Sequence, residues 1–181
     1  MKKSVYLVIS LAVLLVLGWV ILTGCGNNES NLSETDKNVL NEFRIKDSVL
    51  KFNRESSFKG FSYKMADGLK TDESQQSIYL EYINNAIYDG RFVFRISMSF
   101  DNETNIKDFL EDRKGETESI NGINWTKVTV NNTSNNKDTT SIIYATEKGS
   151  TLYVVSIISF NEANVNLSEL SNVFINTVTL D

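Results

Sequence analysis

Histidine and proline are both absent from the 181 residues, and cysteine occurs once. Without histidine, the Ser-His-Asp and Cys-His arrangements of nucleophilic catalysis cannot be built. Zinc sites resting on imidazole go with them, and a single thiol supplies no cysteine cluster in their place. One cysteine also makes no intrachain disulfide. Proline at its usual ~5% would give about nine residues. Asparagine instead reaches 21, which reads as the codon bias of an AT-rich genome rather than a structural demand. The nine glycines are scattered and form no phosphate-cradling loop. Basic residues are few and ungrouped: 18 Lys and Arg stand against 23 Asp and Glu, a formal charge of −5. Nucleic acid is thereby excluded as a partner, because phosphate neutralisation needs clustered cations. No catalytic residue, metal site or cofactor is predicted.

What is present begins at the amino end. Lys2 and Lys3 precede a nearly unbroken apolar run, Val5 to Ile21, which closes on Leu22-Thr23-Gly24-Cys25. A positive start, an apolar stretch and small residues at a boundary make a secretory signal. The run is slightly long for a signal and slightly short for a membrane span of ~20 residues. The competing reading is an uncleaved helix with a free cysteine. Leu-Thr-Gly-Cys resembles the bacterial lipobox. That resemblance implies cleavage between Gly24 and Cys25, and a diacylglycerol joined to the Cys25 thiol through a thioether. Each buried methylene contributes about 0.8 kcal/mol and one chain anchors only marginally, so two acyl chains make a lasting attachment. Residues 1–24 are then the signal peptide and 25–36 a lipidated cysteine with a flexible polar tether, typically spanning about 18 Å. Loss of Lys2 and Lys3 leaves 16 basic residues against 23 acidic, or −7. The expected location is the extracytoplasmic face of a cell membrane. Missing disulfides fit a Gram-positive surface, with a Gram-negative periplasmic lipoprotein as the alternative.

Residues 37–181 read as one domain. The stretch "KNVLNEFRI" is a short helix or an entering strand, and "SVLKFN" a first strand. In "GFSYKMADG", Phe61, Tyr63 and Met65 share a face before a turn; in "SIYLEYI", Ile78, Leu80 and Tyr82 do the same. "GRFVFRISMSF" is the clearest strand. Phe92, Phe94, Ile96, Met98 and Phe100 alternate with Val93, Arg95, Ser97 and Ser99, as in a sheet covered mainly on one side. The period then turns helical at Ile106, Phe109, Leu110 and Arg113, with Gly115 as the stop. Two strands flank Asn121-Gly122, and Asn131 to Asp138 reads as a polar loop. "TTSIIYAT" and "STLYVVSIISF" form a hairpin, and the second is apolar on both faces, which predicts a central position. The chain is predicted to end in a helix with Asn166 as N-cap, Glu169 three residues on, and an apolar stripe of Leu167, Leu170, Val173, Phe174 and Val178.

Strands, helix, strands, helix in that order predicts an α+β fold, mainly antiparallel β-sheet with helices packed on it. "GFSYKMADGLK", "INGINWTKV", "LYVVSIISF" and "LSNVFINTV" resemble elements of PsbP/Mog1-like domains over about Phe58 to Leu180. The sequence departs from that pattern where Ala66 and Leu69 stand in place of a proline and a tryptophan. The family comprises assembly factors and binding modules, so the resemblance implies a fold and no shared activity.

Three side chains are candidates for ligand binding. Arg91 and Arg95 flank Val93 and offer an anion clamp, since guanidinium forks bind carboxylates bidentately. The plainer reading pairs such an arginine across strands with Glu81. Trp125, with Tyr79, Tyr82 and Tyr88, would line a recognition surface or else pack in the core. Asp101 to Asn105 alternates oxygens like a calcium loop but lacks the glycine and the distal glutamate, leaving a capped turn. The function these features predict is a non-enzymatic surface lipoprotein. It is held to the membrane through Cys25 and binds an envelope protein or a small ligand. The alternative is an immunity or exclusion lipoprotein that sequesters an antimicrobial peptide or blocks phage entry. A carboxylate-based extracellular enzyme ranks third.

Overall fold

A computed structural model of the chain describes residues 41–89, 92–111, 113–134 and 137–181. Period-two alternation governs most of them. The strands are β1 (Glu42–Ile45), β2 (Ser48–Phe58), β3 (Phe61–Ala66), β4 (Lys70–Glu73), β5 (Ser77–Tyr82) and β6 (Phe94–Asp101). After helix α1 (Ile106–Leu110) come β7 (Glu116–Ile120), β8 (Ile123–Ser134), β9 (Lys137–Lys148) and β10 (Thr151–Phe160). A 3-10 turn at Asn161–Ala163 leads to helix α2 (Leu167–Ile175) and the short strand β11 (Thr179–Leu180).

The strands form a seven-stranded sheet, ordered β4-β5-β6-β10-β9-β8-β7, and a four-stranded sheet, ordered β1-β2-β3-β11. Neighbouring strands pair antiparallel throughout the described ladders. The architecture is thus mainly antiparallel sheet with few helices. β10 occupies the middle, between β6 and β9, as its two apolar faces require. On the inner side Val155 lies opposite both Met98 and Tyr144, and Ile157 opposite both Ile96 and Ile142. All six are buried.

The second sheet and α2 cover that inner side. Phe43 meets Phe94 edge-on at 6.1 Å between ring centres, and Phe61 meets Tyr153 at 5.2 Å. Phe174 of α2 takes Phe52 at 5.7 Å and Tyr63 at 6.2 Å. All but the tilted Tyr63–Phe174 pair are edge-to-face, which suits the ring quadrupole and adds to the burial of large apolar area. α2 starts as its sequence predicts: the Asn166 side chain accepts the Glu169 amide at 3.2 Å and donates to the Glu169 carboxylate at 2.9 Å. Leu167, Leu170, Phe174 and Val178 are buried, and Val173 is half-buried.

One open expectation resolves and three change. "KNVLNEFRI" resolves in part into strand β1, because Phe43 and Ile45 alternate into the core while Arg44 faces out. Residues 131–134 and 137–138, predicted as loop, extend β8 and β9; their pairing runs on through Asn132↔Thr139 and Ser134↔Lys137. The backbone ladder continues there beyond the apolar core, which hydrophobic periodicity does not register. α1 stops at Glu111, whose φ is +50°, rather than at Gly115. Gly115 serves another purpose, since a Cβ there would lie 2.5 Å from the Thr126 methyl and 3.1 Å from the Lys127 carbonyl oxygen. Finally, α2 is followed by β11, which pairs with Phe61 and Ser62 of β3. The Asn121-Gly122 turn forms as expected, with both residues at positive φ (53° and 75°).

Candidate functional site

The side of the large sheet turned away from the core carries three cross-strand rows over β5, β6, β10 and β9. Ser77, Ser99, Val154 and Ala145 form one, Tyr79, Ser97, Ser156 and Ile143 the next, and Glu81, Arg95, Ile158 and Ser141 the third. These positions alternate with fully buried ones, so each serine faces out because its neighbours face in. Ser97, Ser99, Ser156, Tyr79 and Ile158 are half-buried. The surface is neutral and semi-polar, with one ion pair at its margin.

In that ion pair Arg95 and Glu81 sit directly opposite in register. Nε of Arg95 donates to Glu81 Oε1 at 2.7 Å, and Nη2 approaches the same oxygen at 2.5 Å. The guanidinium also lies 4.4 Å from the Phe92 ring centre and 5.3 Å from that of Tyr79. Stacked and paired, it is committed to the sheet rather than held ready for an incoming anion. Beyond it a further cation is spent similarly. Lys137 donates to the Tyr88 hydroxyl at 2.9 Å and lies 5.4 Å from the Phe160 ring centre. The Tyr88 hydroxyl holds the ammonium pKa above its ordinary value.

α1 covers one end of this face. Its Ile106, Phe109 and Leu110 pack with Ile143 over Ala145, Leu152 and Val154. The helix is only five residues long, so its position is set by its ends. The Asn105 side chain accepts the Asp108 amide at 2.9 Å, and Glu147 of β9 accepts the Ile106 amide at 2.5 Å. Asp101 opens the turn and accepts the Glu103 amide at 2.8 Å. The Thr104 hydroxyl and the amides of Glu103 and Thr104 hold its carboxyl below the ordinary carboxylate value. The oxygen alternation of Asp101 to Asn105 is therefore a capped strand-to-helix turn. Among the described residues, no three acidic or cysteine side chains gather as a metal-binding group.

Three of the surface cavities lined by described residues differ in what their polar groups are doing. The largest, about 430 Å³, lies between two hairpin tips and Leu180. Most of its polar side chains are occupied. Asn121 donates to the carbonyls of Asn176 and Val178, and Lys148 to those of Leu180 and Asp181, fastening β11 and the residues on either side of it. A smaller one near Thr140 and Asn161, about 220 Å³, falls below the ~300–1,000 Å³ usual for ligand pockets. The third, about 310 Å³, lies between α1 and the outer face, lined by Gln76, Ser77, Tyr79, Ser99, Phe109 and Leu152, among others. Of these, the side chains of Gln76, Tyr79 and Ser99 make no hydrogen bond to another described residue. Three of its polar side chains are thus available, while Ser77 is bonded to Ser74 and Asp101 to the Glu103 amide.

The structure separates the residues singled out from sequence. Gly24, Cys25 and Arg91 lie outside the described residues. Arg95 is paired with Glu81. Trp125 is fully buried, edge-on to Tyr144 at 6.4 Å, so it packs in the core rather than on a recognition surface. Tyr82 and Tyr88 are also buried, and Tyr79 alone of the tyrosines named reaches the candidate cavity. Sequence reasoning missed Gln76, Ser77 and Ser99. The serine alternation in β6 was the available signal, but only the register brings Ser77 beside Ser99.

No family model matches the sequence, and no curated protein matches it. Solved structures share the fold, the following two among them. LpqN of Mycobacterium tuberculosis, described as involved in cell envelope biogenesis, aligns with a TM-score of 0.50 at 13% identity. The match covers 83% of this chain and 98% of LpqN. A protein from Bacteroides thetaiotaomicron VPI-5482 aligns with a TM-score of 0.52 at 11% identity over 67% of this chain, which spans 45% of that protein. Among the described residues, no helix is long and apolar enough to cross a membrane.

Proposed function

We propose that this protein is a lipid-anchored accessory module of a bacterial cell envelope, with a PsbP/Mog1-like domain that binds rather than catalyses. Leu22-Thr23-Gly24-Cys25 behind an apolar run supplies the anchor, through diacylglycerol on Cys25. The observation that carries the binding role is the outer sheet face, a neutral surface of Ser97, Ser99, Ser156 and Tyr79 with a cavity beside it. The likeness to LpqN agrees with an envelope setting. The role is presentation: lipid fixes the domain close to the bilayer, and the sheet face meets an envelope protein or a small ligand.

Two experiments test this in sequence. Cells fed an alkyne-tagged fatty acid should label the wild type, and Cys25→Ser should abolish both the label and membrane recovery. In-cell crosslinking of the lipidated protein should then enrich a recurrent envelope partner, and Ser156→Arg, which places a bulky charge on the outer face, should lose it. Labelling that persists in Cys25→Ser overturns the anchor. Capture unaffected by Ser156→Arg overturns the role of the face, and protection of cells against an antimicrobial peptide would favour the immunity reading.

A further inference from the structure

We infer that the cavity between α1 and strands β5, β6 and β10 is a binding site for a neutral sugar ring. This deepens the preceding reading by naming a ligand class, and rests on it only for the domain's exposure to the envelope. The volume, about 310 Å³, lies at the small end of the range for ligand pockets. Three side chains line it that make no hydrogen bond to another described residue, the Gln76 amide, the Tyr79 phenol and the Ser99 hydroxyl. Each both donates and accepts a hydrogen bond, as a sugar hydroxyl does. Phe109, Leu152 and Val154 supply apolar wall for the C–H face of a ring.

Other ligand chemistries fit less well. An anion would need a cation in the lining, and the nearby Arg95 is held by Glu81 on the same face. A cation would look to Asp101, the charged residue of the lining, whose carboxylate already accepts the Glu103 amide. A purely apolar chain would cover three polar groups without giving them partners, which is costly wherever water is excluded. A molecule that is polar at its edge and apolar on its face meets both demands.

The test uses the full chain in a zwitterionic, sugar-free detergent, with saturation-transfer NMR to methyl β-glucopyranoside and N-acetylglucosamine. Transfer to ring protons is expected for at least one of them and should hold between low and high salt, because no charge pair forms. Tyr79→Ala and Ser99→Leu should each weaken it at least about tenfold. Should Ser99→Leu fail to fold, Gln76→Ala, an exposed position, provides the same comparison. Absent transfer, transfer only to a charged sugar such as glucuronate, or transfer unchanged in the variants would overturn the inference. Partner capture by crosslinking would be untouched by that failure, so the two readings fall separately.

Discussion

At single positions the fold asks for specific atoms, and for specific gaps. Gly115 has no room for a methyl group beside Thr126 and the Lys127 carbonyl. Gly115→Ala should therefore cost about 1–3 kcal/mol, the usual penalty of overpacking. Denaturant unfolding would measure it, and Thr126→Ser in the same chain should recover part of the loss by removing the crowded methyl. Trp125 presents the opposite case. Its indole Nε1 is buried with no hydrogen-bond partner among the described residues, and a stranded donor costs about 1–3 kcal/mol. Trp125→Phe deletes that donor, so its cost should fall well below the ~3–5 kcal/mol typical of Trp→Ala. Asp101 sets a pH dependence. Its folded pKa lies below the ordinary 3.8, so the unfolded chain takes up the proton first as acid is added. The turn's contribution is fully present above that ordinary value and is lost as pH falls through the lower folded one. Asp101→Asn should flatten this part of an acid titration followed by near-ultraviolet circular dichroism.

Elements obey their own periods until tertiary pairing overrides them. The alternation of Phe94, Ile96 and Met98 and the Asn166–Glu169 cap of α2 were readable because each signal lies within one segment. Asn166→Ala should cost about 1 kcal/mol, as N-cap removals do, measured by the shift of the urea midpoint. The extension of β8 and β9 past residue 130 was not readable. The added residues are polar, Asn131 to Ser134 on one strand and Lys137 and Asp138 on the other, and their strand state comes from the partner backbone rather than from burial. The site was half legible for the same reason. Arg95 and Glu81 stood out as a pair that register could join, whereas Gln76, Ser77 and Ser99 acquire meaning only once β5 lies against β6 and α1 closes over β10. A double-mutant cycle on Arg95 and Glu81 should return a coupling of about 0.2–1 kcal/mol, the range of cross-strand charge pairs.

For the molecule as a whole, the order β4-β5-β6-β10-β9-β8-β7 divides the large sheet into two three-stranded halves joined through β10 alone. Amide exchange should reflect this. The amides of Val155 and Ile157 should open only with global unfolding, while those of β4, exposed along its length, exchange far sooner. The same arrangement has a consequence in time. β10 spans Thr151–Phe160 of a 181-residue chain, so both halves are synthesised before the strand that unites them. Until it emerges, β6 is paired on one side only by β5 and β9 on one side only by β8, so the edge of Ile96 and Met98 cannot join that of Ile142 and Tyr144. Long-range pairing of this kind makes folding slow and late. For the proposed export, such a delay would keep the large sheet open until β10 itself has passed the translocation channel.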